Sequence, residues 1–145
     1  MKDQYIRSIA EQENIRAIGR RDVESARNFA VTKMAKSLFD ISDNLSRALE
    51  AVPEDMRSND EHAVLKSFYE GVEMTERLMV KAFQQNNIEG YAEVGDKFDP
   101  DLHDAMFVYE DASAETNTIG QVMKVGYKLN GRVVRPAQVG TVKNP

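Results

Sequence analysis

Phe98-Asp99-Pro100-Asp101-Leu102-His103-Asp104-Ala105-Met106 is the densest group of chemistry-bearing side chains in the chain, with three aspartates around one histidine. If those oxygens and the imidazole converged, they would suit a divalent metal. Aspartate-capped turns and a proline-initiated helical turn account for the same residues equally well. As a general base, His103 has no serine or threonine partner that spacing singles out, and no glycine-rich phosphate loop occurs anywhere. The chain has no cysteine, which removes thiolate nucleophiles, disulfides and thiolate metal sites. His62 lies in a polar connection and reads as solvated. The expectation is a protein that is not an enzyme and holds neither metal nor cofactor.

A second group points to binding. Gly126-Tyr127-Lys128-Leu129-Asn130-Gly131-Arg132-Val133-Val134-Arg135-Pro136-Ala137 reads as a β-hairpin, because Asn-Gly between β-forming runs supplies the two positive φ values of a type I′ turn. From Val122 to Pro145 there are five cations and no carboxylate, whereas Tyr91 to Gln121 carries one cation against eight acids. A small sheet with cations concentrated at its end is suited to touching a partner. Met123, on a strand of this sheet, is a candidate exposed contact. The net charge of −5 argues against nucleic acid as that partner. No apolar run approaches the roughly 18 residues of a membrane span, and Lys2-Asp3-Gln4 leads into a mixed-charge helix that does not read as a targeting peptide.

These groups need a scaffold, and the first half supplies helix. Asp3 to about Val52 has no proline and one glycine, Gly19. Ala26, Ala30, Met34, Leu38, Ile41, Leu45 and Leu49 recur at steps of three and four on one face. Before Ala26 the stripe thins to Tyr5, Ile6, Ile9, Ile15 and Ile18. A single helix of about 50 residues would be roughly 75 Å long, far more than one small core covers, so pairing with a second copy is expected. The alternative is two shorter helices broken at Gly19 and folded back within one chain, although Gly19 lacks the neighbours that usually mark a turn.

Pro53 ends the helix. After Ser58-Asn59-Asp60, any of which suits a cap, a second helix carries Leu65, Phe68, Val72, Met79 and Phe83. It stops at Asn86-Asn87, with Gly90 as a late terminator. Two such helix pairs from two chains would close a four-helix bundle. From Tyr91 onward the chain turns to short β segments: Tyr91–Val94, Met106–Tyr109, Gly120–Lys128, Val133–Val134 and Val139–Val142, with Asp111 to Asn117 as an acidic loop. The expected class is α+β. It divides into a long dimerising helix (1–52), a connection and second bundle helix (53–89), and a C-terminal β-domain (90–145).

Several strings resemble the GrpE family of nucleotide exchange factors for DnaK-type chaperones. They are Glu13-Asn14-Ile15-Arg16, Asp22 to Ala30, Arg47-Ala48-Leu49-Glu50 and Gly71-Val72-Glu73-Met74-Thr75. Most specific are Phe98-Asp99-Pro100 with His103 and Ala105, and the segment Gly126 to Val142. Arg135-Pro136-Ala137 with Val139-Gly140 is more similar to the eukaryotic mitochondrial branch.

The resemblance implies a homodimer with paired long helices, a central four-helix bundle and two β-domains. One β-domain docks on the chaperone's ATPase domain, opens its cleft and releases ADP, in support of protein folding and mitochondrial protein import in the matrix. It implies chaperone contacts at Arg132, Met123, Glu50 and Arg16, a structural role for Pro100 and His103, and a stress-related trait in which heat loosens the helical part. Ser25 and Thr141 depart from lysine and valine in some bacterial members. The rival expectation is a coiled-coil scaffold that tethers another partner through its β-domain, but it gives no reason for FDPDLH and GYKLNGR to occur together.

Overall fold

A proline-free first half sustains helix almost from its first residue. The computed structural model describes residues 1–145 and begins with α1 (Lys2–Phe29) and α2 (Thr32–Glu50). Gly19 lies inside α1 without a break, so the fold-back at that residue does not occur. The uninterrupted helix expected up to Val52 does not occur either, because Ala30 and Val31 form a turn between α1 and α2. Val31 sits at φ −86°, ψ 2°, and it and Thr32 are β-branched residues that crowd a helical turn. Side chains take up the carbonyls at the break: Thr32 Oγ1 donates to Phe29 O at 2.7 Å, and Asn130 Nδ2 donates to Asn28 O at 2.8 Å.

Beyond Pro53 lie a short helix α3 (Glu54–Arg57), a 3-10 turn (Asp60–His62) and α4 (Ala63–Gln85). Asn59 caps the 3-10 turn, its Oδ1 accepting Glu61 N–H at 3.0 Å. Arg57 pins the connection, donating from Nε to Val52 O at 3.0 Å while its guanidinium sits over the Tyr69 ring. Asn87, at φ 59°, provides the left-handed turn after α4. The helix stops at Asn86-Asn87 as expected, and Gly90, expected as a late terminator beyond, belongs to the following strand.

The α+β class is realised with six strands: β1 (Ile88–Tyr91), β2 (His103–Glu110), β3 (Ile119–Lys124), β4 (Gly126–Leu129), β5 (Arg132–Arg135) and β6 (Ala137–Lys143). They form two three-stranded sheets, ordered β1-β4-β5 and β2-β6-β3. β6 runs parallel to β2 and antiparallel to β3. The expected strand Gly120–Lys128 is divided at Val125, which sends β3 and β4 into different sheets. The expected strand Tyr91–Val94 begins earlier and stops at Tyr91, because Ala92 has φ 88° and turns the chain away. Asn130 and Gly131, at φ 48° and 80°, make the expected primed turn between β4 and β5.

One core joins helices to sheet: Ala35 and Phe39 of α2, Phe83 of α4, and Ile88, Tyr127 and Leu129 of the first sheet. Phe39 is fully buried and stacks on Tyr127 with ring centroids 4.1 Å apart, while Phe83 meets both rings edge-on at 5.5 Å. A second core, Ile119, Ala137 and Val139, lies in the other sheet. Gly140 lets the Phe107 ring lie against β6, where a Cβ would come within 2.6 Å of it.

Burial on α2 follows the sequence stripe only in part, at Leu49 and at half-buried Leu38 and Leu45. The face covered within the chain is Ala35, Phe39, Ser42 and Leu49, while Met34 and Ile41 are 66% and 49% exposed. α1 buries no residue at all.

Candidate functional site

The aspartate–histidine group resolves into a structural turn. Asp99 Oδ1 accepts Asp101 N–H at 2.9 Å, an Asx turn, and Asp99 N–H donates to His103 Nδ1 at 3.0 Å. His103 is buried at the start of β2, between the rings of Tyr91 and Phe98. The imidazole therefore closes the Phe98–His103 turn onto the strand. No three His, Cys, Asp or Glu side chains anywhere in the chain are grouped to hold a metal ion. Tyr91 closes the same region, its hydroxyl donating to the carbonyl of Leu102. Burial raises the Tyr91 pKa; the backbone hydrogen bond from Ala137 opposes that, nearby Asp104 adds to it, and Arg135 opposes it. His62 is exposed in the connection before α4.

The cationic hairpin lies along α2. Its tip reaches the α1–α2 break through the Asn130–Asn28 hydrogen bond, and the Arg132 guanidinium stands 5.2 Å from the centre of the Phe29 ring. Arg132 itself remains exposed. A residue at the start of β5 is thus held over an aromatic plane and still presents N–H donors outward, a geometry suited to carboxylate or carbonyl groups on another molecule.

At the other end of α2 a groove of about 190 Å³ runs between helix and sheet, lined by Asp43, Ser46, Arg47 and Glu50 on one side and by Val122 to Val125 with Tyr127 on the other. Glu50 and Met123 both line it, and Met123 is half exposed at 51%. An acidic helix end facing a thioether across a narrow cleft can take a surface that offers both a cation and an apolar contact. Of the four residues singled out from sequence, Glu50 and Met123 are brought together. Arg132 lies at the opposite end of α2, roughly 27 Å away along an axis rising 1.5 Å per residue. Arg16 is exposed on α1, about 20 Å beyond the break by the same rise.

The structure adds residues that sequence reasoning passed over. Arg135 counted as one hairpin cation and as part of the Arg135-Pro136-Ala137 string, yet it forms a two-pronged ion pair with Asp43: Nη1 to Oδ2 at 2.6 Å and Nη2 to Oδ1 at 2.9 Å. Its guanidinium also packs on the rings of Phe39 and Tyr127. The available signal was Asp43, an acid seven residues before Glu50 and so on nearly the same helix face, together with an arginine at a strand end. Ser42 Oγ and the Tyr127 hydroxyl approach to 3.4 Å in the same interior.

The family model described as GrpE matches residues 1–143. Similar curated proteins include "Protein GrpE" of Brucella anthropi, 46% identical over 143 residues, and of Brucella melitensis biotype 1, 45% identical over 143 residues. Each alignment covers 99% of this chain and 62% of the relative. "Protein GrpE" of Rhodopseudomonas palustris is 42% identical over 142 residues, covering 98% of this chain and 68% of that protein. The chain thus spans about three fifths of the length of the Brucella relatives. These relatives are bacterial, and they lend no support to the mitochondrial branch that Arg135-Pro136-Ala137 suggested. Matched by the family model along nearly its whole length, the chain belongs to the GrpE family.

Proposed function

We propose that this chain is the nucleotide exchange factor of a DnaK-type chaperone: it binds the ATPase domain, favours the open cleft and so promotes ADP release, without making or breaking a bond. Membership of the GrpE family supports that class of partner. The observation that carries the reading is the groove in which Glu50 faces Met123, with Arg132 exposed on the hairpin that runs along the same helix. The mechanism is differential binding. A surface that fits the open chaperone better than the closed one shifts that equilibrium, and ADP and the factor then weaken each other's binding.

The acting species is a homodimer. α1 exposes Tyr5, Ile6, Ile9, Ile15 and Ile18, and α4 exposes Val64, Phe68, Met74 and Leu78. A lone helix of 28 residues with no buried side chain gains little from propensity alone. Pairing of α1 with its copy, and of two α2–α4 pairs into a four-helix bundle, would cover these faces. On this reading residues 1–52 pair, 53–89 complete the bundle and 90–145 present the docking surface, with Arg16 as a further contact on the paired helix. The bacterial relatives favour a bacterial chaperone as partner over a mitochondrial one.

Stopped-flow release of fluorescent ADP from a bacterial DnaK-type chaperone tests the reading, with sedimentation confirming the dimer. Wild type is expected to accelerate release strongly, and Arg132→Ala to do so much less. No acceleration at saturating intact dimer would refute the exchange function for that chaperone, and binding without acceleration would favour a scaffold.

A further inference from the structure

We infer that Arg135 and Asp43 are positioning residues that hold the two walls of the Glu50–Met123 groove in register; this rests on the exchange-factor reading above. Arg135 joins three parts of the chain. It sits at the end of β5, its two Nη atoms grip Asp43 on α2, and Nε and Nη2 donate to the Val125 carbonyl at 3.1 and 2.6 Å. Four of the five guanidinium N–H donors are thereby engaged.

Val125 separates β3 from β4, and its carbonyl lies two residues from Met123 in sequence. Asp43 lies seven residues before Glu50, two helical turns or about 10 Å along α2. One side chain therefore fixes the strand that carries Met123 against the helix that carries Glu50. Asp43, Val125, Met123 and Glu50 all line the one groove.

The clamp is enclosed. The side chains of Arg135 and Asp43 are 18% and 16% exposed. The guanidinium stands 5.3 Å from the centre of the Phe39 ring and 5.0 Å from that of Tyr127. An apolar pair of equal volume would hold the two elements together as firmly, since burying two charges costs much of what their attraction returns. What the planar fork adds is direction: two parallel hydrogen bonds permit one orientation of sheet on helix, whereas an apolar contact permits sliding. A lysine would keep the charge and lose that direction.

The test is the concentration of this protein that half-saturates ADP release from a DnaK-type chaperone, measured for wild type, Met123→Ala, Asp43→Asn, the double variant and Arg135→Lys. Far-ultraviolet circular dichroism follows the fold in parallel. Met123→Ala is expected to raise the half-saturating concentration about tenfold, as loss of a central contact does. Asp43→Asn should act similarly with helix content unchanged. Because Asp43 acts through Met123, the double variant should stay near either single one, about 10- to 20-fold above wild type. A multiplicative loss of about 100-fold overturns the inference, and so does an Arg135→Lys variant that behaves as wild type. Should Asp43→Asn disturb the fold, Arg135→Lys combined with Met123→Ala replaces it in the same cycle. If wild type itself fails to accelerate release, the exchange reading falls and this inference with it; wild-type acceleration with independent losses refutes the clamp alone.

Discussion

Phe39→Ala should be the most damaging single truncation in the chain. Phe39 is fully buried, stacks on Tyr127, meets Phe83 edge-on and lies beneath the Arg135 guanidinium. Removing a buried phenylalanine from a packed core costs about 3–5 kcal/mol, of which each lost aromatic pair accounts for about 0.5–1.5 kcal/mol. Against a total stability of about 5–15 kcal/mol that is a large share. At this chain length it lowers Tm by about 10–15 °C. Because Phe39 belongs to a helix and its closest ring partner to a strand, both halves should respond together. The assay is thermal and urea unfolding at fixed protein concentration, followed by far-ultraviolet circular dichroism for helix and, in a Tyr5→Phe, Tyr69→Phe background that leaves only strand tyrosines, by near-ultraviolet tyrosine signals for the sheet. Val94→Ala, at a position 68% exposed, serves as control and should change stability by no more than about 0.5 kcal/mol. A loss below about 1.5 kcal/mol for Phe39→Ala would refute the shared core. So would helix and tyrosine signals that shift independently.

Gly19→Ala places a methyl group where nothing lies within 4 Å and should stabilise α1 by about 0.8–1 kcal/mol; a lower helix melting temperature would show that a partner helix needs the gap. Gly140→Ala would bring a Cβ within 2.6 Å of the Phe107 ring, costing about 1–3 kcal/mol; adding Phe107→Leu should recover part of this, and no recovery in urea unfolding would refute the contact. Tyr91 gives a pH signature. Its pKa is raised in the folded chain, chiefly by burial, so the folded state holds the phenolic proton more tightly than the unfolded one. That stability is fully present below the ordinary tyrosine value of about 10 and is lost as pH rises through the folded value. Wild type should therefore lose stability more steeply than Tyr91→Phe above about pH 10, and equal slopes would count against the partly buried hydroxyl.

The parts of this fold legible in the sequence are those set by local rules. Asn130-Gly131 demands positive φ, and the turn is there; Pro53 excludes helix before it, and α2 stops in time. Asn59 does cap, but it caps the 3-10 turn and not α4, which starts after His62 without a side-chain cap. Local rules also explain the errors. Gly19 drew attention because glycine weakens helices, yet one glycine costs only about 1 kcal/mol and a long helix absorbs it. The real interruption, at Ala30-Val31, is stabilised by Asn130, a hundred residues away in sequence and invisible to any window. The strand break at Val125 has a nearer partner, its carbonyl accepting from Arg135 of β5, ten residues on.

The candidate site divides along the same line. Arg132 and Met123 were singled out by the resemblance to the family, and both are exposed, on the hairpin and on its neighbouring strand. Asp43 and Arg135 were not, because nothing near either residue distinguishes a solvated charge from half of an enclosed pair. On α2 the aliphatic stripe is covered only in part within the chain, with Leu49 buried and Met34 and Ile41 exposed, while Phe39, outside it, forms the centre of the core. The two faces answer to two partners. The aromatic face is shaped by the chain's own sheet, and the aliphatic one is covered within the chain only in part, at Leu38 and Leu49. A helix read against a single period cannot report both, which is why the stripe pointed to pairing and concealed the junction that positions the groove.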